Sequence, residues 1–126
     1  VGWVRKLAGA ATVGVFRDAP LDAVLTTRDA LQLDWVQLHG REPDGLIDAL
    51  GPRVIRRVDP RRDGIWERVV ELADRCVPLL DPGAGSGVAV DWSELPRPPE
   101  GVRFGIAGGL TPDTVADAVR WMKPAP

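Results

Sequence analysis

The sequence is poor in the features that mark secreted and membrane proteins. Cys76 is the only cysteine among the 126 residues, so no disulfide can form within the chain, which fits a reducing cytosol. No apolar run approaches the roughly 18 residues that a transmembrane helix needs, and no secretory leader is visible. We therefore expect a cytoplasmic protein that has no membrane partner.

The sequence also lacks an excess of either charge. Sixteen lysines and arginines face 18 aspartates and glutamates, for a formal net charge of −2. Non-specific binding to nucleic acid or to an anionic membrane needs a basic surface, so we expect no nucleic-acid partner. The composition is instead that of a globular protein, with 44% hydrophobic and 27% charged residues, and the length suits one ordinary domain.

Short apolar strands alternate with amphipathic helical segments along the whole chain. The pattern predicts strands over 12–16, 34–38, 53–58, 77–81 and 102–107, and helices over 20–31, 42–50, 64–75 and 112–122. The opening residues 2–10 predict the end of a further helix. Repeated βα units indicate a parallel sheet with right-handed crossovers. Periodicity alone does not decide between a small open sheet and part of a (βα)8 barrel.

Two predicted strands end on a residue that can transfer or bind a proton. "VQLHG" (36–40) ends on His39, and "LLDPGAGSG" (79–87) places Asp81 at a strand tip before a glycine-rich loop. Active sites of α/β proteins lie at the carboxyl ends of their strands. Each residue also has a purely structural interpretation. The loop has neither the lysine of a phosphate-binding P-loop nor the third glycine of a dinucleotide site.

The segment "GIAGGLTPDTV" (105–115) is a candidate phosphate site. Gly108 and Gly109 follow a predicted strand, Thr111 is placed to cap a helix, and Pro112 suits its first position. Free N–H groups at such a helix start bind phosphate; the alternative is a tight strand-to-helix turn.

Arg56 and Arg57 lie in the segment "RRVDPRRDG" (56–64). It is either a solvated loop with weak ion pairs or, at one of these two arginines, a contact for a substrate anion.

These motifs, taken in order, resemble the phosphoribosylanthranilate isomerase family of tryptophan biosynthesis. The resemblance rests on "VGVF" (13–16), "VQLHG" (36–40), "LLD" (79–81), "AGSGVAVDW" (84–92) and "AGGLTPDTV" (107–115). It implies that residues 1–126 form a single partial TIM-barrel domain of about five parallel strands, the third to the seventh of an incomplete (βα)8 barrel. The first residue, Val1, is not methionine, so we also expect the chain to begin within a longer protein.

The resemblance also implies a reaction. The family carries out the Amadori rearrangement of N-(5-phosphoribosyl)anthranilate to 1-(2-carboxyphenylamino)-1-deoxyribulose 5-phosphate, with neither a metal nor an organic cofactor. Asp81 would be the general acid. The small-molecule phosphoribosyl substrate would be bound by the following residues: His39, Gly85, Ser86, Gly87, Gly108 and Gly109. Among these, the backbone of Gly108 and Gly109 would hold the phosphate.

The chain departs from the family pattern in its general base. The family's base is a cysteine of a "KICG" motif that is absent here. Cys76 would lie about 16 Å from Asp81 along a strand, at the opposite end of the sheet. A catalytically inactive remnant or a phosphate-ligand binding module is therefore the alternative. A related two-substrate isomerase of histidine and tryptophan synthesis is disfavoured by "VQLHG" and "DW". Two open sheet edges predict self-association.

Overall fold

The computed structural model describes residues 9–83 and 90–122, so the predicted helical end over residues 2–10 lies largely outside the described part. The chain divides into two compact units. The first comprises Val1–Arg57 and Arg75–Val77, and the second comprises Val58–Asp74 and Pro78–Pro126. Each unit is described by itself below.

Five strands confirm the predicted α/β pattern. They are β1 (Val13–Phe16), β2 (Trp35–Leu38), β3 (Val54–Val58), β4 (Val77–Leu80) and β5 (Gly105–Ile106), in the sheet order β1-β2-β3-β4-β5. The pairs β1–β2, β2–β3 and β4–β5 are parallel.

Three of the helices fall between consecutive strands, as the periodicity predicts, and the fourth follows β5. They are α1 (Leu21–Leu31), α2 (Gly45–Leu50), α3 (Ile65–Ala73) and α4 (Val115–Trp121), with a 3-10 turn over Trp92–Glu94. The structure differs most from the prediction at β5, which has two residues where six were expected over 102–107. Gly101, with a φ of 80°, turns the chain just before this segment. No described helix has the length and apolar character needed to cross a membrane.

In the first unit the strand register divides the side chains between two faces. Gly14 pairs with Val36, and Val36 pairs with Val54. Paired residues of parallel strands project to the same face. Along β2 and β3, this face is the buried one, and together with residues from α1 and α2 it supplies the unit's apolar core, made of Val24, Val36, Leu38, Ile47, Leu50 and Val54.

The second unit packs its aromatic residues against its helices and loops. Trp66 donates its indole N–H to the Pro96 carbonyl at 2.7 Å and meets Phe104 edge to face, with ring centroids 5.1 Å apart. Gly105 lies close to β4, since a β carbon there would come within 3.0 Å of Leu79 Cδ1. The core comprises Ile65, Trp66, Val69, Leu72, Leu80, Trp92, Ala118 and Met122.

The strand β1 lies at one end of the sheet order and presents apolar side chains to solvent. Val13 is 42% exposed and Val15 is 61% exposed. In the part of the chain that the structure describes, β1 pairs only with β2. An unpaired parallel edge that carries exposed valines can pair with another chain.

Candidate functional site

His39 lies directly after β2, at the carboxyl end of that strand. Its backbone N–H donates to the Phe16 carbonyl at 2.8 Å, so the parallel pairing of β1 and β2 continues one residue past the strand. The residue is only 9% exposed. Its ring Nδ1 lies 3.3 Å from Gln37 Nε2. With the amide as donor, Nδ1 is the acceptor and the neutral imidazole carries its proton on Nε2.

A buried ion pair that the sequence interpretation missed lies beside His39. The Glu42 carboxylate accepts hydrogen bonds from the N–H groups of Asp18 (3.0 Å) and Gly40 (2.9 Å) and from Arg56 Nη1 (2.8 Å). Arg56 Nη2 donates to the Glu42 carbonyl at 2.9 Å. The two side chains are 1% and 9% exposed. Arg56 is therefore neither solvated nor placed to bind a substrate anion; it balances a buried carboxylate.

Gly40 is fixed by its contact with the loop that follows β1. A β carbon at Gly40 would lie 2.5 Å from Asp18 Oδ1, so the Asp18 side chain would have to shift to admit another residue. The same Asp18 carboxylate accepts the Arg41 N–H at 2.6 Å, and Asp18 itself has a φ of 58°. Such a conformation is uncommon for a residue other than glycine. The loops after β1 and β2 are thus held together by backbone amides and two carboxylates.

In the second unit, Asp81 lies directly after β4, as predicted. Its N–H donates to the Val58 carbonyl at 3.1 Å, which fixes the backbone at the strand end. Its Oδ1 accepts the Gly83 N–H at 2.8 Å. This bond fixes the Asp81 side chain against the start of the loop that follows it.

The structure brings Gly108 against Asp81. A β carbon at Gly108 would lie 3.2 Å from Asp81 Oδ1 and 2.5 Å from Pro82 Cδ. Gly108 and Gly109 have φ angles of 93° and 67°, both in the region that favours glycine. Two residues that the sequence singled out on different strands therefore lie in one neighbourhood, at the carboxyl ends of β4 and β5.

The N-cap of α4 is Thr114 rather than the predicted Thr111, and the helix begins later than expected. The Thr111 hydroxyl accepts the Thr114 N–H at 3.2 Å, and the Thr111 carbonyl accepts the Val115 N–H at 2.9 Å. These bonds form a first turn over 111–114, ahead of the helix proper at Val115. Thr111 therefore stabilises this turn but does not cap α4, so the predicted cap is wrong and the helical start is shifted.

Arg61 connects the loop after β3 to the residue that follows Asp81. Its guanidinium donates to both carboxylate oxygens of Asp59, at 3.1 and 3.2 Å, and to the Pro82 carbonyl at 3.0 Å. The hydrogen bond and the charge of Asp59 raise the pKa of Arg61 above its ordinary value. The side chain is half exposed, as a solvated loop predicts, but it has a defined geometry.

Other predicted features lie apart from these residues. Gly85, Ser86 and Gly87 fall outside the described residues. Cys76 is buried directly before β4, at the opposite end of that strand from Asp81, as expected. Within residues 9–83 and 90–122, no group of three or more His, Cys, Asp or Glu side chains could hold a metal ion.

A cavity of about 580 Å³ in the first unit contains none of the predicted site residues. It lies near the amino ends of β2 and β3, where Asp34, Pro52 and Arg53 are among its lining residues. Active sites of parallel βα folds form at the other ends of the strands. The positions of the polar residues therefore locate the candidate site better than the size of this cavity does.

Comparison with known proteins gives one consistent result. The family model described as "N-(5'phosphoribosyl)anthranilate (PRA) isomerase" matches residues 1–125. An N-(5'-phosphoribosyl)anthranilate isomerase of Wickerhamomyces anomalus is 34% identical over 119 residues, which cover 91% of this chain and 51% of that protein. The corresponding protein of Geotalea daltonii is 35% identical, with 89% and 56% covered.

A solved structure of the same family is similar to this chain. A phosphoribosyl anthranilate isomerase in complex with reduced 1-(o-carboxyphenylamino)-1-deoxyribulose 5-phosphate is 27% identical, with a TM-score of 0.71, and the match covers 96% of this chain and 60% of that one. The chain spans about half the length of the curated relatives it matches. The similarity to these relatives therefore applies to about half of their length.

Proposed function

Because the chain belongs to the N-(5'-phosphoribosyl)anthranilate isomerase family, we propose that it acts in the Amadori rearrangement of N-(5-phosphoribosyl)anthranilate. The members of this family are isomerases of tryptophan biosynthesis. The observation that supports this role is the contact of Gly108 with Asp81 at the carboxyl ends of two parallel strands. A proton donor and a glycine backbone suited to an anion lie side by side there.

Asp81 is the proposed general acid. Its carboxyl proton passes to the ribose ring oxygen as the bond between that oxygen and C1 breaks, so that the ring opens. The hydrogen bond from the Gly83 N–H to Oδ1 keeps the carboxyl group in one orientation. Positioned proton transfer of this kind needs a donor fixed within hydrogen-bond reach of the acceptor. No residue of this chain is assigned the general base that removes the C2 proton.

The remaining residues are proposed to bind the substrate. The backbone of Gly108 and Gly109 would hold the phosphate, since a backbone without side chains lets its N–H groups approach an anion closely. His39 is proposed to bind the substrate. Gly85, Ser86 and Gly87 are proposed to contact the substrate.

We further propose that residues 1–126 act as one partial TIM-barrel domain in the cytoplasm and that the chain self-associates. The lone Cys76 and the biosynthetic family support the location. The exposed Val13 and Val15 on the edge strand β1 support self-association.

Complementation of a host that lacks this isomerase, together with titration of the reduced product analogue, tests the proposal. Growth with the chain but not with its Asp81→Asn variant is the expected result. Growth with both would show that Asp81 is not the acid. If neither variant supports growth and both bind the analogue, the second candidate holds: a phosphate-ligand binding module without turnover. The position of buried Cys76, away from Asp81, favours that candidate.

A further inference from the structure

We propose that Glu42 is a positioning residue whose buried carboxylate sets the His39–Gly40 turn for ligand binding, with Arg56 as its counter-charge. The inference rests on the proposed function, because it takes His39 as a residue that binds the substrate. It gives a role to Glu42, which the sequence interpretation did not single out.

The contacts of Glu42 join three segments of the first unit. One oxygen of the carboxylate accepts the Asp18 N–H in the loop after β1, and the other accepts the Gly40 N–H in the loop after β2. Arg56, within β3, donates to both the side chain and the carbonyl of Glu42. The Glu42 side chain is 1% exposed. A carboxylate so buried is tolerated only when it is paired and hydrogen-bonded, so its partners are held whenever the unit is folded.

These bonds act on the turn itself rather than on the apolar core. His39 is held on one side by the bond from its N–H to Phe16, and the next amide, that of Gly40, is held by Glu42. Gly40 also packs against the Asp18 side chain. Loss of the Glu42 carboxylate would therefore free the turn after His39 and leave the buried valines and leucines of β2 and β3 in place.

The test compares three variants with the unaltered chain. In Glu42→Gln, one oxygen becomes an NH2 group that faces N–H donors, so at least one donor loses its acceptor. We expect the Kd for the reduced product analogue to rise about tenfold or more. Arg56→Lys keeps the charge but cannot make both guanidinium bonds to Glu42, so we expect its Kd to lie between those of the unaltered chain and of Glu42→Gln. Asp48→Asn is the matched control, because it breaks an exposed arginine–carboxylate pair of the same unit, that of Asp48 with Arg75.

Two measurements separate positioning from bulk stability. Kd is compared at equal folded fraction, and amide hydrogen exchange is followed at Asp18 and Gly40. Exchange at these two amides should become about tenfold faster or more in Glu42→Gln but not in Asp48→Asn. A folded Glu42→Gln variant with an unchanged Kd would overturn the inference, even if its melting temperature falls.

If Glu42→Gln does not fold, the double variant Glu42→Gln/Arg56→Met removes both charges and leaves no unpaired charge buried. Its Kd should rise in the same way, and an unchanged Kd in the folded double variant overturns the inference. If the unaltered chain binds no analogue, the proposed function fails, and the exchange rates at Asp18 and Gly40 then decide this inference alone: faster exchange supports it, and unchanged exchange overturns it.

Discussion

Gly108 leaves no room for a side chain beside Asp81, because a β carbon at Gly108 would lie 3.2 Å from the Asp81 carboxylate. It would also lie only 2.5 Å from the ring of Pro82. The absence of a side chain is thus what allows the chain after β5 to approach the candidate acid, and substitutions at Gly108 should affect both the fold and the site.

Gly108→Ala is expected to destabilise the chain by about 2–5 kcal/mol, the sum of a positive-φ cost of about 1–2 kcal/mol and an overpacking cost of about 1–3 kcal/mol. Gly101→Ala is the control, because Gly101 also has a positive φ but has open space around the position of a β carbon. The Gly101→Ala variant should lose only the stability that a positive φ costs a residue other than glycine. Urea denaturation of both variants measures the difference, and equal losses would contradict the predicted clash.

Asp81→Asn should keep the fold and lose the reaction. The amide oxygen of asparagine can still accept the Gly83 N–H, but the group cannot donate an acidic proton, so turnover should fall about a hundredfold or more. Asp91→Asn is a matched control, since Asp91 also accepts the N–H two residues ahead, that of Ser93. Turnover is measured by complementation and by substrate consumption, and binding by titration of the analogue. A large loss of turnover in both variants would argue against a specific role for Asp81.

Arg61→Gln should lower turnover by about two- to fivefold, because the pair with Asp59 is exposed and weak while its bond to Pro82 steadies the chain next to Asp81. The raised pKa of Arg61 determines how the effect of this substitution on turnover depends on pH. The stabilisation that the Arg61–Asp59 pair contributes is complete below the pKa of arginine in the unfolded chain. It is lost only as pH rises through the higher pKa of Arg61 in the folded chain. The ratio of variant to unaltered turnover should therefore be constant from about pH 6 to pH 9. A ratio that changes steeply in this range would show that another group is involved.

Val15→Lys should reduce self-association, because it places a charge on the exposed edge strand β1. Val70→Lys, on α3, is the control: Val70 is 48% exposed and does not lie on a strand edge. Sedimentation velocity over a range of concentrations compares the two. If the unaltered chain is already a single monomeric species, the proposed self-association is wrong.

The order of strands and helices could be predicted because it depends on local patterns. The apolar pattern along the sequence corresponds to the strands and helices of the structure. Gly108 and Gly109 adopt positive φ angles, a conformation that only glycine takes easily. The length of β5 could not be predicted in this way. A run of suitable residues over 102–107 does not show how many of them find a partner on β4.

The Glu42–Arg56 pair was missed because a glutamate at the start of a predicted helix is usually exposed. The two residues are 14 positions apart, and only the fold brings them together. One signal was available. Arg56 alternates with Val54 and Val58 along a strand, so all three share a face, and both valines are buried. An arginine on a buried face needs a carboxylate partner, which the sequence does not identify.

The placement of Cys76 has a practical consequence for studying this molecule. The thiol is the only one in the chain, is 7% exposed, and lies at the far end of β4 from the candidate acid. A sulfhydryl reagent would therefore modify the native protein slowly and report each transient opening of that strand as a labelling event. The rate of labelling at Cys76 therefore measures local unfolding. The reagent does not modify the residues at the carboxyl ends of the strands.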